Sequence, residues 1–245
     1  MFKIEDAKQK LQELDAIVRK KCPNMSLEIG FHKDFKKREN VSIYENMINP
    51  QIILCLNHGD ACVSSIACKI NKKTRTMEIS SKTHENYEGK KYNTLLRSVI
   101  MLVAPFIKYK RATSKTRKSS ASSRSRSVTK GNHYIQGSVA KIISRSINPI
   151  STLLLVKYFG ATNKELQEYL DDNNIDVLTL SLDQVKEFQQ EVNTDDMTSS
   201  EELEYMENNE DYGEPLLLTI ELSNPGVNSK IRNTFDSTIA RMMCS

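Results

Sequence analysis

Gly89, Lys90 and Lys91 stand between two patterned stretches, in a place where such residues can hold an anion. Upstream, Met77, Ile79 and Ser81 alternate with Glu78, Ser80 and Lys82, the two-residue period of a half-buried strand. Downstream, Tyr92, Leu95, Leu96, Val99, Ile100 and Val103 recur at three and four residues, which predicts a helix that Pro105 discourages from continuing. A strand feeding a helix through a short polar turn leaves uncovered amide N–H groups at the helix start, and these suit an anion, often a phosphate. His84, just before the turn, can contact a phosphate or act as a base; its other reading, shared with His58, is an ordinary surface histidine. No His, Cys or Asp cluster has metal-ligand spacing, so no metal is expected. Gly89 is alone in its loop, which does not support a nucleotide P-loop.

The elements that must position this turn are also legible. Ile4 to Lys20 predicts an amphipathic helix, with Ile4, Ala7, Leu11, Leu14, Ile17 and Val18 near one face, ended by Cys22-Pro23-Asn24. Ser26 to Phe31 reads as a short strand. Gln51 to Asn57, Ala61 to Ile70 and Thr76 to Thr83 predict three strands joined by links of hairpin length, an antiparallel meander leading into the turn. Val139 to Ile147 reads as a strand and Ile150 to Phe159 as a helix, with Asn148 as cap, Pro149 in the first turn and Gly160 at the exit. Further on, Asn163 to Asp172 and Leu182 to Val192 look helical, and Val177 to Leu180 reads as a strand. Pro215 to Leu222 is the strongest late strand, and Asn224 to Met243 is helical through Val227, Ile231, Phe235, Ile239 and Met242.

Length and composition bound the class. The chain has 245 residues, 38% hydrophobic and 27% charged, with mean hydropathy −0.50. No apolar run approaches the ~18 residues that span a bilayer, and the start lacks the apolar core of a signal peptide, so an intracellular protein, cytoplasmic or nuclear, is expected. The five cysteines, an odd number without a CxxC pair, favour reduced thiols. The net charge of +4 conceals two opposed blocks. Lys108 to Lys130 carries nine Lys or Arg and no acid, and Glu187 to Glu214 carries eleven acids and no base. Both are read as solvated: a basic, Ser-rich flexible insertion over 108–132 and an acidic flexible loop over 193–214, within one domain spanning 1–245. The basic block is also a candidate nuclear-import signal or nucleic-acid tether, since Lys and Arg bind phosphates without sequence choice.

Two runs resemble motifs of the GCN5-related N-acetyltransferases. In that family a central strand is followed by Gln/Arg-x-x-Gly-x-Gly/Ala and a helix opening near a Leu-Leu pair. Here the run is Glu88-Gly89-Lys90-Lys91-Tyr92-Asn93-Thr94-Leu95-Leu96, with Glu88, Lys91 and Asn93 in place of the usual residues. The second family motif is Asn-x-x-Ala-x-x-Leu-Tyr-x-Lys-x-Gly-Phe. Asn148, Ser151, Leu154 and Lys157 fall in register with it, Gly160 comes one position late, and Leu155 stands where the family carries its catalytic Tyr. Together the motifs cover roughly Gln51 to Ala161, with the basic insertion between them. The resemblance implies an α/β (α+β) fold with a mixed, mostly antiparallel sheet flanked by helices. It also implies acetyl-CoA as cosubstrate and an amine-bearing small molecule or protein as acceptor.

Acetyl transfer to an amine needs a held pyrophosphate, a polarised thioester carbonyl, a base for the amine and an acid for the departing thiolate. By resemblance, backbone amides of Gly89, Lys90, Lys91, Tyr92 and Asn93 would hold the pyrophosphate, with Asn148 in the same cleft. An N–H of Ser81, Lys82 or Thr83 would polarise the carbonyl. Glu78 is the candidate base; its other reading is a strand carboxylate paired with a Lys. Tyr158, three residues past Leu155, is the candidate acid; its other reading is core or rim packing. The alternative function is a protein that kept the fold and lost the chemistry, associated with nucleic acid through its basic insertion.

Overall fold

The computed structural model describes residues 2–35, 49–113, 133–146, 148–194 and 216–242. It is a mixed α/β structure: a six-stranded mixed sheet, a three-stranded antiparallel sheet and, among the described residues, seven helices. In chain order these are β1 (Phe2–Lys3), α1 (Glu5–Lys21), β2 (Met25–Phe31), α2 (His32–Phe35), β3 (Ile52–His58), β4 (Ala61–Asn71) and β5 (Thr76–Thr83). Then come α3 (Tyr92–Val103), β6 (Lys108–Thr113), β7 (His133–Ser138), β8 (Lys141–Ser146), α4 (Pro149–Phe159), α5 (Lys164–Asp172), α6 (Leu182–Thr194), β9 (Leu216–Glu221) and α7 (Pro225–Arg241).

The large sheet runs β2-β3-β4-β5-β8-β9. All its neighbours are antiparallel except β5 and β8, which are parallel and joined through α3. Met77 and Ile79 of β5 and Ile142 of β8 turn one face to a core shared with α1, α3, α4 and α7. That core includes the stripe Ala7, Leu11, Leu14 and Val18 of α1, and Leu95, Leu96, Val99 and Val103 of α3, all buried. On the opposite face Phe35 covers Ile53, Cys55, Cys62 and Ala67. Gly30 is required there: a Cβ would lie 2.9 Å from the Phe35 ring.

The small sheet, β1-β6-β7, lies inside the connection from α3 to β8. Lys108–Thr113, expected to belong to a flexible insertion, is a strand with partners on both sides. Its anchor is Tyr109, 2% exposed, which donates to the Ser138 carbonyl at 3.1 Å and meets Phe2 edge-on. The rest of the basic segment, 114–132, and most of the acidic one, 195–215, lie outside the described residues.

Two further expectations are corrected. Val177–Leu180 is a turn, because Asp176 binds its own backbone: its Oδ1 accepts from the Leu178 amide at 2.8 Å, and its carbonyl accepts from Thr179 and Leu180. Cys55, Cys62 and Cys68 are buried and outside any disulfide, but Cys22 is disulfide-bonded. Among the described residues no helix is long and apolar enough to cross a membrane.

Candidate anion and coenzyme cleft

The site is built where β5 and β8 part. Among the described residues their pairing runs from Thr76↔Lys141 to Ile79↔Ser144 and goes no further, although β5 continues to Thr83 against β4. The phase of the ladder decides which amides this exposes. His84 N–H bonds the Val63 carbonyl at 2.9 Å, so the hydrogen-bonded pairs of β4 and β5 fall on the even residues of β5. The amides of Ser81 and Thr83 therefore turn to the β8 side, beyond the last β8 partner. Neither has a hydrogen-bond partner among the described residues.

A second set of amides comes from α3. Lys91 precedes the helix with no side-chain cap, and the first turn contains no acid. Leu95 N–H is the first to bond back, to the Lys91 carbonyl at 3.0 Å. The amides of Lys91, Asn93 and Thr94 have no partner among the described residues, as the start of an α-helix dictates. Both sets line one open depression of about 520 Å³, walled by Ser81, Lys82, Thr83, Tyr87, Glu88, Gly89, Lys91, Tyr92, Asn93 and Thr94.

The loop between them is shaped by two left-handed residues, Gly89 (φ 75) and Lys91 (φ 67). A Cβ on Gly89 would meet nothing within 4 Å, so this glycine serves conformation rather than space. Lys90 lies with its ammonium 4.9 Å from the centre of the Tyr87 ring, which itself stacks near Tyr92. Tyr92 is buried, so only its backbone reaches the depression.

Arg97, which the sequence reading did not single out, ties this corner together. It is 9% exposed; its Nε donates to Asn93 Oδ1 at 2.7 Å and its Nη2 to Ser81 Oγ at 3.0 Å. Ser81 Oγ donates in turn to Asn93 Oδ1 at 3.1 Å. This triad fixes the start of α3 to the unpaired end of β5 and places a positive charge behind the amides. The available signal was a lone cation inside the apolar run Leu95 to Val103, four residues from Asn93.

The remaining expected residues lie elsewhere. Glu78 is on the opposite face of β5 from Met77 and Ile79, and its Oε1 accepts from Arg145 Nε at 3.0 Å. It lies three residues before Ser81, ~10 Å along the strand. Asn148 is the N-cap of α4, its Oδ1 accepting from the Ile150 amide at 2.8 Å. Tyr158 is 55% exposed and lines a separate pocket of about 130 Å³ that shares Lys91 and Thr94 with the larger depression. His84 Nδ1 caps a short turn by accepting from the Asn86 amide at 3.3 Å, and both His84 and His58 sit about 6.0 Å from the Tyr87 ring. Among the described residues no three His, Cys, Asp or Glu side chains are placed to hold a metal ion.

Neither protein-family models nor curated protein sequences match this chain. The class that fold and site define is thus a mixed α/β protein with an amide-lined cleft at a parted parallel strand pair.

Proposed function

We propose that the chain is an N-acetyltransferase-like protein that takes the acetyl group of acetyl-CoA to an amine. The observation that carries this is the pairing of two donor sets in one basin: strand amides at Ser81 and Thr83, and helix-start amides at Lys91, Asn93 and Thr94. A diphosphate suits the helix start, where the amides and the Lys91 charge act together. The strand amides suit the carbonyl of an extended acyl chain threaded between β5 and β8, where negative charge develops as the amine attacks. In that step the amine nitrogen bonds the carbonyl carbon, the C–S bond breaks, Glu78 takes the amine proton through intervening water, and the leaving thiolate takes a proton from water. Glu78 must first be released from Arg145, a pair exposed enough that its release costs little.

Calorimetry with acetyl-CoA tests the binding half. Binding that disappears in Gly89→Asp supports the reading, and no heat at millimolar ligand refutes it. Tyr158 lines a pocket that does not include Glu78, which favours a second reading, a protein that binds the coenzyme without transferring. If Glu78→Gln leaves any measured transfer unchanged, Glu78 is not the base; a loss of ~100-fold or more at unaltered acetyl-CoA affinity supports it. Nucleic-acid association through Lys108 to Lys130 is a further proposal. It is tested by an affinity for DNA or RNA that falls steeply with salt and is lost on deleting 110–130.

A further inference from the structure

Tyr158 draws attention to the smaller pocket, which uses residues far apart in the chain. Its walls are Lys91 and Thr94 at the start of α3, Leu154 and Tyr158 on α4, and Thr238 and Arg241 near the end of α7. Two cations enter it and no acid lines it. Thr238 is 5% exposed, and its hydroxyl has no hydrogen-bond partner among the described residues. A helical threonine usually bonds the carbonyl four residues back. Here that carbonyl, of Thr234, accepts from Ser237 Oγ at 3.1 Å, and Thr238 is left facing the pocket. Thr234 Oγ1 bonds the Tyr158 carbonyl at 2.9 Å and fixes α7 against α4, so the wall is built rather than incidental. Thr94 adds a wall from a third element.

We propose that this pocket binds a phosphate-type oxyanion. A volume of about 130 Å³ has room for one tetrahedral anion with water. Donors come from three helices, which suits a tetrahedral group better than the planar fork of a carboxylate. The anion is either free phosphate or a phosphate monoester of a nucleotide that also occupies the larger basin, because Lys91 and Thr94 belong to both. Only the second source rests on the coenzyme reading.

The test is titration with inorganic phosphate at constant ionic strength, against chloride, followed by calorimetry and by thermal midpoint. Wild type is expected to bind phosphate and gain thermal stability. Arg241→Ala and Thr238→Val are each expected to lose about tenfold in affinity while keeping the native circular dichroism spectrum. Val replaces the hydroxyl with a methyl of the same shape, so misfolding is not the expected route to loss. Phosphate acting no differently from chloride, or both variants binding like wild type, overturns the proposal. Coenzyme A and its form lacking the 3′-phosphate separate the sources. Tighter binding of the former, abolished by Arg241→Ala, assigns the pocket to the nucleotide. Equal binding of the two, with phosphate still bound, assigns it to free phosphate. Phosphate binding without any coenzyme binding sinks the acyl-transfer reading and leaves this one standing.

Discussion

Replacing Lys91 with glycine should stabilise the fold while weakening its hold on phosphate. Lys91 has φ 67 and ψ 14, a left-handed conformation that costs an L-residue ~1–2 kcal/mol. Its side chain is exposed and makes no capping hydrogen bond, so little is lost when it is removed. Glycine removes the strain but restores unfolded-chain freedom worth about 0.4–1 kcal/mol. The net conformational gain is then about 0–1.6 kcal/mol. Lys91 also places a positive charge beside the positive end of α3, and deleting it relieves about 0.3–1 kcal/mol more. Lys91→Ala removes the charge but keeps the left-handed strain, so the difference between the Gly and Ala variants isolates the backbone contribution. Guanidinium unfolding should show the glycine variant's midpoint raised at unchanged slope, and the thermal midpoint higher by about 1–10 °C. Both variants should bind inorganic phosphate more weakly than wild type. A glycine variant no more stable than the alanine variant would refute the role given to the left-handed backbone.

Asn148→Ala should cost about 1 kcal/mol in guanidinium unfolding, because the Ile150 amide loses its cap, and should leave acetyl-CoA affinity unchanged in calorimetry. Tyr169 should shape the alkaline limb of stability. Burial, then the nearby Glu187 carboxylate and the hydrogen bond to it, push the Tyr169 phenol above its ordinary range. The folded state therefore keeps a proton that the unfolded chain gives up, so its contribution is complete below the ordinary tyrosine range and is lost as pH rises through the folded value. Tyr169→Phe should flatten that loss in unfolding midpoints measured above about pH 9.

How far the sequence revealed this arrangement follows from what each element rests on. The strand Thr76–Thr83, the helix from Tyr92 and the helix up to Gly160 matched their patterns because each buries one regular face. Lys108–Thr113 did not, because its place is set by pairing with Phe2–Lys3 and His133–Ser138 and by one buried ring, Tyr109, rather than by an apolar alternation. Val177–Leu180 has strand-forming residues, but Asp176 captures the backbone locally. The candidate site divides similarly. The turn proposed to hold an anion lies within one stretch, so its residues from Gly89 to Thr94 can be read together from the sequence. The Thr238 pocket was not, since its walls come from residues near positions 94, 158 and 241 and exist only once α7 packs on α3 and α4.

The charges at the start of α3 run against the helix. Lys90 and Lys91 precede it, its first turn has no acid, and Arg97 folds back through Asn93 and Ser81 to the same end. Each cation near a helix N-terminus is unfavourable by ~0.3–1 kcal/mol, and acids there are the usual remedy. A helix selected for stability alone would carry Asp or Glu in place of Asn93 or Thr94. Instead the chain spends hydrogen bonds from Arg97 and Ser81 on locking Asn93 in place, which keeps the open amides and the neighbouring cations fixed on one basin. An anion placed there is attracted at once by the open amides and by each neighbouring cation. Such an arrangement has a physical rationale as a receptor for negative charge, and none as a helix cap.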